Sequence, residues 1–485
     1  MQNTSFEKTL TPFNGVLRPV AAHSTGRYEK WGYSESKSGA ITPGFQYTHD
    51  ASPQYLPQNW SSHVHPEGQL YFARDGPLRV VTEVYMYSPE PMAKLLDWVS
   101  RIESILEEKN IPLSESTELF VMLQDDDCLY YFVNHTVRTQ FWLEEVQTDE
   151  LGIPDYDSPS HLKLYLEELY WSHVEHFCMH LYGGLPVKLI NELICIFSHA
   201  MSDQITSRTS TFFYGQKDCK KFLKLLTLAR QHPTDGHQIC VVARLWMQVC
   251  SNRFQTHYGQ EVSRLSRDQH IVYDPPRPSR ISRIAGVLTF SASDKYLAKL
   301  NDIFVDHLVY ETEWCPFVTS CLRDWKDTSL VAVLTLLLHL FFLFLKCSTA
   351  LAVTSTALLS ASFLSAILLG HRYNRFESAT ASEAYDHLEA IHSEKYDFQL
   401  IAFLYSLPKA LHLWGLLALV ANLFVMFGSY FGQRYALAVG FGFSLLFLLV
   451  QRLMSERTLF SFGGISFRLN LFGNGKTTKE AESIV

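Results

Sequence analysis

Three histidines, His173, His176 and His180, with Glu175 among them, have the spacing in this chain best suited to chemistry. Steps of three and four residues put their imidazoles on one face of a helix, where they could hold a metal ion. An HExxH metal site needs Glu directly after its first His and a second His four residues on, but His173 is followed by Val174 and, at that distance, by Phe177. The stretch is otherwise aromatic and amphipathic, so the spacing favours a polar helix edge with hydrogen-bonded histidines, and a metal site is the alternative. Gly473-Asn474-Gly475-Lys476-Thr477 imitates the end of a phosphate loop, but Asn470 stands where its first glycine belongs. With no Gly-x-Ser-x-Gly elbow, dinucleotide fingerprint or kinase motif set, no cofactor is expected and the chain reads more as a non-enzyme.

A helix over 161–182 must carry the histidines, followed by helices over 186–205, 217–230, 237–257 and 293–310. Breaks at Gly183-Gly184, Gly215 and Pro233 separate them, and together they make a helical domain over 160–325. Pro275, Pro276 and Pro278 interrupt it with an extended segment. Upstream, residues 1–54 are rich in Ser, Thr, Gly and Pro without a sustained apolar period and read as a disordered tail. Residues 55–90 and 115–150 have the alternation of short antiparallel strands, with Pro66-Glu67-Gly68 as a hairpin turn. Between them, 91–114 holds a one-faced helix built on Leu95, Trp98, Val99, Ile102, Ile105 and Leu106.

Leu56-Pro57-Gln58-Asn59-Trp60, followed by Tyr71-Phe72 eleven residues after the Trp, resembles the first half of a WW domain, although Thr82 stands at the second Trp position. Tyr131-Phe132-Val133-Asn134-His135, then Arg138 and Trp142, is similar to the second half, with Phe120 in place of the first Trp. The resemblance implies a core from Pro57, Trp60, Tyr71, Phe72, Phe132 and Asn134. It also implies a proline-binding groove from Tyr131, Val133, His135, Arg138 and Trp142. Such a groove would accept a preformed polyproline segment in trans, or Pro275, Pro276 and Pro278 in cis.

The formal net charge of −8 over 485 residues, with no basic stripe, excludes nucleic acid as an expected partner. Nine cysteines with no CxxC spacing read as thiols of a reducing compartment. The mean hydropathy of −0.01 averages a polar first two thirds with an apolar last third. In 329–370 one charge, Lys346, interrupts a run long enough for two passes at about 1.5 Å per residue. Ala410 to Phe427 and Tyr435 to Val450 add two more, so 328–453 is expected to cross a bilayer four times, ahead of a tail over 454–485. Arg323, Lys326, Arg372, Arg375, Arg452 and Arg457 all fall on one side, which puts both termini and the loop 371–399 in the cytosol. Ala357, Ala361 and Ser365 form a small-residue stripe suited to helix packing, and His339 is read as an interhelical hydrogen bond.

The fold class expected is therefore α+β: small antiparallel WW-like modules, a mostly helical soluble domain and a bundle of transmembrane helices. As a whole, with Thr256-His257-Tyr258-Gly259-Gln260 and Arg264-Leu265-Ser266-Arg267-Asp268-Gln269, the chain resembles a family of uncharacterised multi-pass membrane proteins of mushroom-forming fungi. That resemblance implies an architecture and no reaction. A membrane-anchored interaction or scaffold protein is the leading expectation. A membrane-shaping hairpin protein and a membrane-bound enzyme using the histidine face are the alternatives.

Overall fold

The computed structural model describes residues 15–28, 38, 55–181, 183–273, 279–342, 348–393 and 395–454. Among these residues the protein is mixed α/β, with twelve α-helices and one seven-stranded sheet. It divides into two compact units, one comprising Met1–Arg277, Ala298–Phe317 and Ser378–Ser393, the other Pro278–Leu297, Val318–Glu377 and Glu394–Val485.

The first unit is built on the sheet. Its strands are β1 (Leu17–Pro19), β2 (Trp60–Val64), β3 (Leu70–Arg74), β4 (Arg79–Thr82), β5 (Thr117–Gln124), β6 (Asp127–Asn134) and β7 (Thr139–Phe141), and α1 (Pro89–Glu108) lies between β4 and β5. Strands β2, β3 and β4 form one antiparallel meander and β5, β6 and β7 another. The expected hairpin turn is present, with Gly68 at φ 99° and its N–H on the His65 carbonyl at 2.8 Å. The two meanders do not stand as separate modules, because β4 pairs with β5 in parallel and makes the sheet continuous. A parallel neighbour requires a crossover, and α1 supplies it. Short strands whose faces are both apolar need cover on both sides, which a free-standing module lacks.

Residues 1–54 were expected to be a tail, yet Leu17–Pro19 pairs in parallel with Cys128–Tyr130 on β6, and Ala21 and Ala22 are fully buried. Three residues are too few to show an apolar period, so the strand was hidden.

Alternation sets the two faces of the sheet. Phe72, Val80, Leu119, Val121, Cys128, Tyr130 and Phe132 pack with Leu95, Trp98, Val99 and Ile102 of α1. Tyr71, Val81, Phe120, Met122, Leu129, Tyr131 and Val133 point the other way, into a core shared with α2 (Pro159–His176), α3 (Val187–Thr206), α4 (Gln216–Gln231) and α5 (Gly236–Gln255). The Ser158 side chain accepts the His161 N–H at 3.1 Å and Pro159 opens the helix, so α2 starts where its sequence dictates.

The second unit contains two helices long and apolar enough to cross a membrane, Thr349–Phe376 and Gln399–Phe431. The first comprises α9 (Thr349–Tyr373) and a 3-10 turn, and the second is α11, which follows α10 (Ala381–Ile391) in the chain. α8 (Glu311–Phe342) and α12 (Gln433–Met454) cover the other two expected spans, and the expected turn at Lys346 lies outside the described residues. The break before α12 is Gly432, at φ 98°.

Between α9 and α11, the Ser355 hydroxyl donates to the Gly415 carbonyl at 3.0 Å and the Ser362 hydroxyl to the Pro408 carbonyl at 2.7 Å. A Cβ on Gly415 would sit 2.8 Å from Leu359, so the two backbones approach closely there. The buried face of α9 is thus Ala352, Ser355, Leu359, Ser362 and Ala366. The expected stripe is turned away from it, with Ala357 and Ala361 exposed, because serine hydroxyls with carbonyl partners outrank bare methyls at an interface. His339 bonds the Ala352 carbonyl at 3.1 Å, the interhelical contact expected of it.

Candidate functional site

One carboxylate on the α2 side of the sheet gathers three imidazoles. Glu118 on β5 shares the phase of Phe120 and Met122, and so points inward; its side chain is 1% exposed. His135, just past β6, keeps the phase of Tyr131 and Val133. His173 comes from the last turn of α2. The helix stops at His176, with Phe177 at φ −124°, and the turn that follows brings His180 back. The Nε2 atoms of His135 and His173 lie 2.9 and 3.1 Å from Glu118 Oε2, and that of His180 lies 2.7 Å from Oε1.

A tyrosine hydroxyl faces the Nδ1 of each ring: Tyr170 on His135 at 3.3 Å, Tyr131 on His173 at 3.1 Å and Tyr71 on His180 at 3.2 Å. These tyrosines are not equivalent. Tyr71 already accepts the backbone N–H of Met179 at 2.8 Å and of His180 at 3.1 Å, which uses both its lone pairs, so its own proton must go to His180 Nδ1. His180 therefore carries its proton on Nε2 and serves as a donor to Glu118. Tyr131 and Tyr170 are under no such constraint and can donate to Nδ1 or accept from it. His135 and His173 can therefore hold their protons on either nitrogen.

Burial raises the Glu118 carboxyl, but the electrostatic pull of His180 and the three imidazole hydrogen bonds outweigh it and hold the group well below the usual carboxylate range. His173 is pushed down by burial, against the pull of Glu118. Next to the cluster His63 stacks on Tyr71, its ring centroid 5.4 Å away, and burial above all brings it down to about 4.

Among the described residues, two other groups have metal-compatible atoms close together. In the first, His65, Cys178 and Cys240, His65 Nδ1 accepts the Glu67 N–H at 3.1 Å while Nε2 meets the Glu175 carbonyl at 3.0 Å. In the second, Asp157, His161 and His257, His161 Nδ1 accepts the Asp157 N–H at 3.2 Å and Nε2 meets the Phe254 carbonyl at 2.8 Å. Backbone N–H only donates and backbone carbonyl only accepts, so both rings are locked with Nε2 protonated and cannot ligate. Of these three groups of described residues, the Glu118 group has hydroxyls behind its ligating rings.

Of the three histidines singled out by spacing, His173 and His180 thus meet at Glu118. His176 does not; its ring packs against Tyr28 and Phe177, and burial brings it down to about 3. The expected helix over 161–182 ends six residues early, so the shared face never forms.

The expected groove is closed. Tyr131 and Val133 are 0% exposed beneath the α2 layer, His135 is turned to Glu118, and Arg138 pairs with Glu167 of α2 at 3.2 Å. Trp142 is half-buried and gives its Nε1 proton to the Val20 carbonyl at 2.8 Å. An aromatic sheet face beside an amphipathic helix buries itself. Of the expected module core, Trp60, Phe72 and Phe132 are buried on the α1 side, Tyr71 faces α2, Pro57 is partly exposed and Asn134 shapes the turn after β6 by accepting the Thr136 N–H at 2.9 Å. Pro275, Pro276 and Pro278 lie outside the described residues.

Glu118 itself was not singled out from sequence. The signal was available: an acid in phase with Phe120 and Met122 on a strand must find buried partners. Compared with family models, with curated proteins and with solved structures, the chain matches none.

Proposed function

We propose that this is a membrane-anchored metalloprotein whose first unit binds one divalent first-row transition metal through Glu118, His135 and His173. What carries the reading is the meeting of two imidazole Nε2 atoms on one carboxylate oxygen, at 2.9 and 3.1 Å, with a third imidazole holding the other oxygen. Moving the proton of His135 and of His173 from Nε2 to Nδ1, where Tyr170 and Tyr131 accept it, turns the hydrogen-bonded cluster into a two-histidine, one-carboxylate donor set. Three protein donors leave positions open for water and substrate, the pattern of catalytic rather than structural sites. His135, with 16% of its side chain exposed, is the side from which both would enter.

Anchoring rests on the two helices long and apolar enough to cross a bilayer. The basic residues flanking them support a four-crossing arrangement with both termini cytosolic. Proline recognition by a WW-like groove would need Tyr131 and Val133 at the surface, so the weight falls on the histidine cluster.

Metal content of the full chain, purified in detergent and dialysed against each metal in turn, tests the reading. About one equivalent is expected, lost in Glu118→Gln and His173→Ala and kept in His176→Ala. Metal no higher in the wild type than in Glu118→Gln would overturn it.

A further inference from the structure

In the second unit, α6 (Arg280–Leu288) is amphipathic the wrong way round for a soluble helix. Its small residues Ser282, Ala285 and Gly286, with Thr289 just beyond, are buried. Its large apolar residues face out: Ile281, Ile284 at 61% exposure, Val287 at 65%, Leu288, and then Phe290. At 100° per residue, positions 281, 284, 287 and 288 make one face, with Arg283 on its border and Arg280 on the same face at the helix start. Water would penalise such an arrangement, and lipid favours it.

The helix is fixed to α11 at both ends. Ser279, its N-cap, donates to the Gln399 side chain, and the Leu288 carbonyl accepts the Trp414 indole N–H at 2.8 Å. Phe290 then lies against the Trp414 ring, centroids 5.2 Å apart, where the left-handed residues Phe290 and Ser291, at φ 55° and 61°, reverse the chain. Trp414 is itself a marker of depth. Lys409, five residues before it, reaches Asp324 at 3.8 Å, whereas Leu416 and Leu417 after it are exposed apolar residues of the candidate span. A tryptophan between a charged turn and an apolar run marks the membrane interface.

We propose that Ile284, Val287, Leu288 and Phe290 form a wedge inserted beside Trp414 into the interfacial layer of the same bilayer, its occupant the upper acyl chains of phospholipid, with Arg280 and Arg283 against the headgroups. The wedge rests on the reading that α11 crosses the membrane. It makes 280–290 a peripheral membrane contact in a stretch assigned from sequence to a soluble helical domain.

The test uses the full chain in phosphatidylcholine vesicles, with a small genetically encoded fluorescent residue placed singly at Val287, at Leu417 in the span, or at Leu225, which is 44% exposed on α4 of the first unit. Brominated lipid should quench the probes at 417 and 287 several-fold more than the one at 225, and aqueous iodide should rank them in reverse. If 417 responds to brominated lipid while 287 follows 225 in its response to iodide, the wedge is overturned and the span stands. If neither responds to lipid, the membrane reading falls and the wedge with it.

Discussion

The two faces of the sheet are equally buried and chemically opposite. On the α1 side, Leu119, Val121, Phe132 and Trp98 leave water with few polar atoms among them, and stability there follows apolar area. On the α2 side the same strands place Glu118 and His135 among aromatics of comparable size, so a carboxylate and three imidazoles must satisfy one another. Because neighbouring residues of one strand serve both faces, the contrast belongs to the side chains and not to the backbone. A fold gains nothing in stability from such a cluster that apolar residues could not supply, which is why its presence points to function. Trp98→Ala breaks the comparison hardest: a cavity on the dry face should cost about 3–5 kcal/mol, read as a lower urea midpoint, while metal content per folded chain stays at the wild-type value. Metal lost along with stability would mean that the two faces are not independent.

Much of this contrast could be read from sequence. The one-faced helix expected at 91–114 is α1, and the helices expected after Ser160 start within a few residues of their caps and breaks, as with Gly215 before α4, whereas those expected over 161–182 and 293–310 stop early, at His176 and Ile303. What could not be read was pairing. Local alternation shows two meanders but not the β4–β5 pairing that joins them, since a parallel contact across α1 leaves no mark on either strand. The site suffered from the same blindness. Helical spacing brought out His173, His176 and His180 as a set, whereas Glu118 and His135 sit on strands and meet them only after the sheet is covered. The C-terminal end of α2 decided membership: stopping at His176 turned that residue away and sent His180 back to the carboxylate.

Within the polar face, the tyrosines divide by the role of their hydroxyls. Tyr131 accepts the Nδ1 proton of His173 whenever Nε2 holds a metal, so Tyr131→Phe should weaken metal binding about 10–100-fold, the usual effect of losing such a partner. Tyr71→Phe should leave metal affinity within a few-fold of wild type and act on stability instead, by about 1–3 kcal/mol, because it strips the partner from the N–H groups of Met179 and His180. Competition with a fluorescent chelator separates the two variants. Equal losses of affinity would show that the hydroxyls do not differ as the hydrogen-bond pattern requires.

Acid acts on the polar face through His176 and Glu118. His176 is lowered from 6.5 to about 3, first by burial and then by the Arg27 charge, so below pH 6.5 the unfolded chain takes up a proton that the native state refuses. Stability must then fall with falling pH between about 6.5 and 3, by at most about 1.4 kcal/mol per pH unit from this one group. Glu118, held well below the ordinary carboxylate value of 4.5, adds a second loss only under that pH, as protonation of the carboxylate removes an acceptor from three imidazoles. Both slopes have the same sign and differ in window. His176→Asn should therefore lessen the slope of the urea midpoint from pH 6.5 to 3, most visibly above 4.5 where Glu118 adds nothing, whereas Glu118→Gln should lessen it only below 4.5. Among the described residues the buried histidines lie away from the α1 face, which should contribute to neither.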